Sequence, residues 1–103
     1  MPKKKWPVEL TASAATDLSR IHAFILEGGN RAADQFLTQL TRGIQSLELH
    51  PERCPLIPEN DLLGTEYRHL LIGRYRVIYR VFAMKVVIMR VVHDARDLTG
   101  VMQ

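Results

Sequence analysis

The chain has 103 residues, 47% of them hydrophobic and 24% charged. Those are the proportions of one ordinary globular domain spanning 1–103, so wholesale disorder is excluded. The net charge is +3, and the single cysteine, Cys54, excludes an intrachain disulfide and a cysteine-rich zinc site.

From its N-terminal end the sequence alternates. Trp6, Val8 and Leu10 fall on one side of a short predicted strand, Trp6 to Thr11. Thr11 or Ser13 can cap a helix whose apolar stripe is Ala15, Leu18, Ile21, His22, Ile25 and Leu26. His22 reads as a boundary residue on that stripe. Gly28-Gly29 stops the helix, and Asn30 can cap the next one. Its stripe is Ala33, Phe36, Leu37, Leu40, Ile44 and Leu47, and His50-Pro51 ends it. Two amphipathic helices joined by about three residues form an antiparallel hairpin. Residues 51–65, with three prolines and Gly64, read as a loop that carries Cys54, a thiol expected in a reducing compartment.

From Glu66 the period becomes two. Tyr67–Ile72, Tyr75–Phe82 and Lys85–His93 read as three strands, joined by the tight turns Gly73-Arg74 and Ala83-Met84. The predicted fold is α+β, a two-helix hairpin packed on an antiparallel sheet in the order β-α-α-β-β-β. In the middle strand Tyr75, Val77, Tyr79 and Val81 suit a face under the helices. Arg76, Ile78, Arg80 and Phe82 mix arginine with apolar groups, as a binding face does.

No apolar run approaches the roughly 18 residues of a membrane span, and no long apolar segment follows the basic opening Lys3-Lys4-Lys5. The expectation is a cytoplasmic protein with neither a signal peptide nor a membrane partner. Charge is uneven along the chain. Residues 1–65 hold seven basic and eight acidic side chains, whereas residues 66–96 hold seven basic and two acidic. Six of those seven are arginines, which fork around phosphate or carboxylate and point to an anionic partner. His22, His50, His69 and His93 show no short ligand spacing, so no metal and no cofactor is expected. Phosphate-loop, dinucleotide-binding, zinc-protease and serine-hydrolase motifs are absent from the sequence. The remaining group is Arg68, His69, Arg76, Arg80, Arg90, His93 and Arg96, several of which strand pairing could gather at one end of the sheet. Arginine can stabilise charge growing on phosphorus and histidine can move protons near neutrality. A solvated basic sheet face, or one that docks a protein, is the plainer reading of the same residues.

Arg74-Tyr75-Arg76-Val77-Ile78-Tyr79-Arg80-Val81 and Val86 to Leu98, with its ending His93-Asp94-Ala95-Arg96-Asp97, closely resemble the toxins of the RelE/ParE superfamily of bacterial type II toxin–antitoxin pairs. The resemblance extends to the opening strand, the helical hairpin with its Leu47 to Pro51 exit, the proline loop and the Tyr67-Arg68 strand. It implies growth inhibition, plasmid stabilisation and a cognate antitoxin that is short and partly disordered until bound. Two activities occur in the superfamily. RelE-like members cut mRNA in the ribosomal A site without a metal, and that pattern would make Arg76, His93 and Arg96 catalytic. ParE-like members poison DNA gyrase, and Arg68, His69, Arg80 and Arg90 would then serve binding. Here Tyr67-Arg68-His69-Leu70 stands where RelE supplies two lysines, and no tyrosine follows Tyr79. The ending and the long hairpin look more like ParE. The expected function is therefore a toxin that poisons gyrase. The alternatives are a ribosome-dependent mRNA endonuclease and a nucleic-acid-binding domain without toxicity.

Overall fold

The computed structural model describes residues 4–29, 31–94 and 98; the proposed cap Asn30 and the candidate Arg96 lie outside the described residues. Strand β1 is Val8–Leu10, helix α1 Ala12–Glu27 and helix α2 Arg31–Ser46. A 3-10 turn, Pro51–Arg53, and a short helix α3, Asn60–Leu63, follow within the loop. Strands β2 (Arg68–Ile72), β3 (Tyr75–Phe82) and β4 (Lys85–His93) complete the order. The α+β order read from the sequence is thus the one observed.

The meander β2-β3-β4 is antiparallel, and β1 adds to β4 in parallel, giving the sheet order β1-β4-β3-β2. The sheet is therefore mixed. The helical hairpin supplies the crossover that a parallel strand requires. Thr11 ends β1 and starts α1 at once. Its backbone N–H bonds the Ile88 carbonyl, its hydroxyl donates to the Met89 carbonyl, and the same oxygen accepts from the Ala14 N–H as the helix cap.

The main core lies between the helices and one sheet face. Ala14, Ile21, Leu40, Ile44 and Leu47 pack there against Val77, Tyr79, Val86, Ile88 and Val91. The α1 stripe keeps Leu18, Ile21 and Ile25 as read from the sequence but has a different margin. Ala14 and Asp17 are buried, while Ala15, His22 and Leu26 are exposed, because Asp17 takes an inward place as an ion-pair partner. Cys54 of the loop is buried in this core. Tyr79 donates a short hydrogen bond to the Pro51 carbonyl. Burial, and then the Cys54 thiol beside it, push its hydroxyl above the usual tyrosine range, so it stays protonated.

The opposite sheet face carries a second, smaller cluster of Ile57, Ile78, Val92 and Leu98, with Leu63, Tyr67 and Met89 at its margin. Ile57 and Leu63 come from the loop, which folds over this face instead of leaving it open. Among the described residues no helix is long and apolar enough to cross a membrane.

Candidate functional site

Strand register decides which candidates can act together. His69 stands opposite Ile78, and Arg76 opposite Leu71 and Val92. These residues lie on the loop-covered face with Arg80. Arg68 stands opposite Tyr79 and His93 opposite Tyr75, on the helix-covered face. Cross-strand partners share a face and neighbours along a strand alternate. Arg76 and His93 are thus close in register but leave the sheet in opposite directions. Among the described members of the basic group the structure brings His69 and Arg76 together and sends Arg68 and His93 to the other face, and the reason is this parity.

Arg76 is 7% exposed. Its Nη1 and Nη2 donate to the Glu59 carboxylate at 2.8 and 2.9 Å, a bidentate pair. Its Nε donates to Nδ1 of His69 at 3.0 Å. Nδ1 must therefore be an acceptor, which leaves the ring proton on Nε2. The Arg76 guanidinium holds the Glu59 carboxyl below its ordinary range. Burial, and then the Arg76 charge, hold the His69 imidazole below its usual value. Glu59 reaches this site because Asn60 shapes the loop around it. The Asn60 side chain accepts from the Tyr67 N–H and the Thr65 hydroxyl and donates to the Tyr67 carbonyl.

The other candidates are placed apart. Arg90 pairs with Asp17 of α1, Nε to Oδ2 at 2.6 Å and Nη2 to Oδ1 at 2.9 Å, and Asp17 also accepts the Val91 N–H. A bulge makes this reach possible. Ile78 faces Arg90 and Tyr79 faces Ile88, so Met89 is an extra residue on β4. Hydrogen bonding to Asp17 raises the Arg90 pKa, so its charge is permanent. Arg68 donates to the carbonyls of Glu52 and Cys54 and pins the loop. Arg80 is exposed, with its guanidinium 4.4 Å from the Phe82 ring centroid. His93 packs edge-on against Tyr75 and lies 3.3 Å from Asp94.

Beside His93 an open apolar groove of about 520 Å³ runs between the hairpin and the sheet, lined by Phe24, Ile25, Phe36, Arg74 and Tyr75 among others. Phe24 is 69% exposed at its rim. Sequence reasoning missed Phe24, Asp17 and Glu59. An acid in the middle of an apolar helical stripe is a signal that could have found Asp17. Glu59 carries no such mark, since its partner is fixed only when the loop closes.

No curated protein matches the chain significantly. Among solved structures, a chain of the chromosomal ParDE TA system from P. aeruginosa superposes with a TM-score of 0.69, at 17% identity, over 88% of this chain and 98% of that one. At that identity the likeness speaks for the fold. The family model for the ParE toxin of the type II toxin-antitoxin system, parDE, matches residues 8–98. That match takes in both helices and all four strands, and the chain belongs to the ParE family of type II toxin–antitoxin toxins.

Proposed function

We propose that this toxin stops growth by acting on DNA gyrase, and that it does not cut mRNA. The observation that carries this reading is the state of Arg76. The guanidinium fork that would clasp a scissile phosphate is filled by Glu59, and its remaining edge is taken by His69. His93, the candidate proton carrier, projects from the other face of the sheet. General acid–base chemistry needs its groups within hydrogen-bond reach of one reacting centre, and these two do not converge on one. With Arg76 occupied by Glu59 and His93 on the other face, the toxin acts by binding.

The binding partner in the resting state is a cognate antitoxin. The groove beside His93 combines exposed Phe24 with Ile25, Phe36 and Tyr75, and has Arg74 at its edge. An amphipathic helix with an acidic residue near one end suits such a surface. The target is tested by adding purified toxin to gyrase, ATP and relaxed plasmid, and separately to a translating extract. Gyrase-dependent breaks in the plasmid, with intact mRNA, are the expected result. Cleaved mRNA with no effect on gyrase would overturn the reading and return Arg76 and His93 to a catalytic role.

A further inference from the structure

We propose that Glu59, Arg76 and His69 form a proton-operated latch, which holds the 55–65 segment against the second face of the sheet and loosens when Nδ1 of His69 takes up a proton. Three observations carry it. Among the described residues the segment is fastened by a short set of bonds, the Asn60 side chain to the Tyr67 backbone and two backbone bonds. Ile57 donates its N–H to the Tyr67 carbonyl and His69 donates its own to the Pro55 carbonyl, and the apolar contact is the small cluster around Ile57, Ile78 and Leu98. The Glu59–Arg76 pair is the one charged link from the segment to β3 among the described residues, and Arg76 is buried beneath it. His69 supplies the third hydrogen bond to that guanidinium, as an acceptor.

Protonation reverses this geometry. Nδ1 carries one lone pair, and a proton placed on it turns an acceptor into a donor aimed at another donor. The new positive charge also stands beside Arg76, where like charges repel. The charged groups acting on His69 are Arg76 from β3 and Glu59 from the loop, and Glu59 offsets part of the repulsion. Burial is the larger penalty on the charged ring and the Arg76 charge the next, and the balance favours the neutral form. Lifting the segment relieves both conflicts, since Arg76 and the imidazolium then reach water. The opened form exposes Ile57 and Ile78, so acid uncovers an apolar surface on the face opposite the helices.

A single proton linked to opening can raise the opening constant by up to about tenfold per pH unit, between the open-state and closed-state values of the histidine. The test is amide hydrogen exchange of the full chain at pH 7.5 and pH 5.5, expressed as protection factors corrected for intrinsic exchange. The His69 ring signal is followed by NMR across the same range. Protection at Ile57 and Tyr67 is expected to fall several-fold on acidification, with a midpoint matching the His69 titration, while Val86 and Ile88 amides keep theirs. His69→Asn keeps an oxygen acceptor close to the Nδ1 position without a titrating ring, and should abolish the pH step while preserving protection at pH 7.5. Glu59→Gln should lower Ile57 and Tyr67 protection at both pH values. Flat protection in the native chain, an unchanged pH step in His69→Asn, or full protection in Glu59→Gln would each overturn the latch.

Discussion

The two faces of one sheet are closed in different ways. Under the helices Val77, Tyr79, Val86 and Ile88 are all 0% exposed, and they meet a continuous apolar surface from α1 and α2. Over the other face lies a loop with a handful of apolar side chains, and a buried arginine is tied down by Glu59 and His69. Area decides the first case, at about 25 cal/mol per Å² of apolar surface removed from water. The second has too little area for that and relies on charge-assisted hydrogen bonds, which titrate. Each face also contains an arginine–carboxylate pair, so the faces can be compared through like chemistry.

The largest difference should come from Asp17. It is 7% exposed, and it pairs with Arg90 and accepts the Val91 N–H. Asp17→Ala strips Arg90 of its bidentate carboxylate and the Val91 N–H of its acceptor, under a rigid helix. Breaking a buried pair in this way costs about 3–5 kcal/mol. Urea unfolding of Asp17→Ala should show that loss, and replacing Arg90 with Met in the same chain should recover part of it. A loss under about 1 kcal/mol would remove the contrast.

The corresponding change on the other face is Glu59→Ala. The pair there is likewise bidentate, but its carboxylate sits on a loop that can lift. Arg76 can then reach water, so the expected loss is about 1–2 kcal/mol, nearer the cost of one charged hydrogen bond than of a stranded ion. Equal losses for the two variants would mean that the loop is as unyielding as the helix.

The hairpin turn between β3 and β4 serves both faces and should respond in the opposite direction. Ala83 and Met84 both have left-handed backbones, φ 52° and 62°, the pattern of a turn that favours Asn-Gly. A non-glycine residue in that region costs about 1–2 kcal/mol. Glycine's extra freedom in the unfolded chain returns about 0.5–1 of it. Met84→Gly should therefore stabilise by about 0.5–1 kcal/mol, read as a rise of a few degrees in Tm. A fall in Tm would show that the Met84 side chain contributes more through its contact with Lys4 than its backbone loses.

The same division explains what the sequence discloses. Periods of 3.6 and 2 are written by the solvent boundary of a large apolar face, so both helices, the three-strand meander and the inward set Val77 and Tyr79 were legible. The parallel docking of β1 was not, because Val8 to Leu10 carries no mark of which strand it joins. The candidate site was legible in residue type and not in arrangement. Arg76 and His93 both suggest phosphate chemistry in the one-dimensional string, yet a cross-strand register of Arg76 to Val92 and His93 to Tyr75 sends them to opposite faces. Glu59 was invisible for the same reason. A loop carboxylate acquires its meaning from the guanidinium it meets, 17 residues along the chain.

The smallest expected effect is on the pH dependence of global stability, and its sign follows from the two depressed groups of the latch. His69 titrates below its ordinary 6.5 in the folded chain. As pH falls under 6.5 the unfolded chain takes up a proton that the folded chain refuses, and stability declines until the folded value is passed. Glu59 lies below its ordinary 4.5. Its contribution is complete above 4.5 and disappears as pH falls from there through the folded value. Acidification from pH 7.5 should therefore lower the urea midpoint in two stages, the histidine first. His69 is partly exposed, so solvent screening keeps its stage small. Because the main core holds no histidine among its described residues, His69→Asn should remove the first stage and leave the second. A first stage that survives this replacement would place the acid sensitivity on the helix-covered side. Exposed His22 of α1 and His93 at the groove would then be the residues to replace next, and the division of labour between the two faces would have to be redrawn.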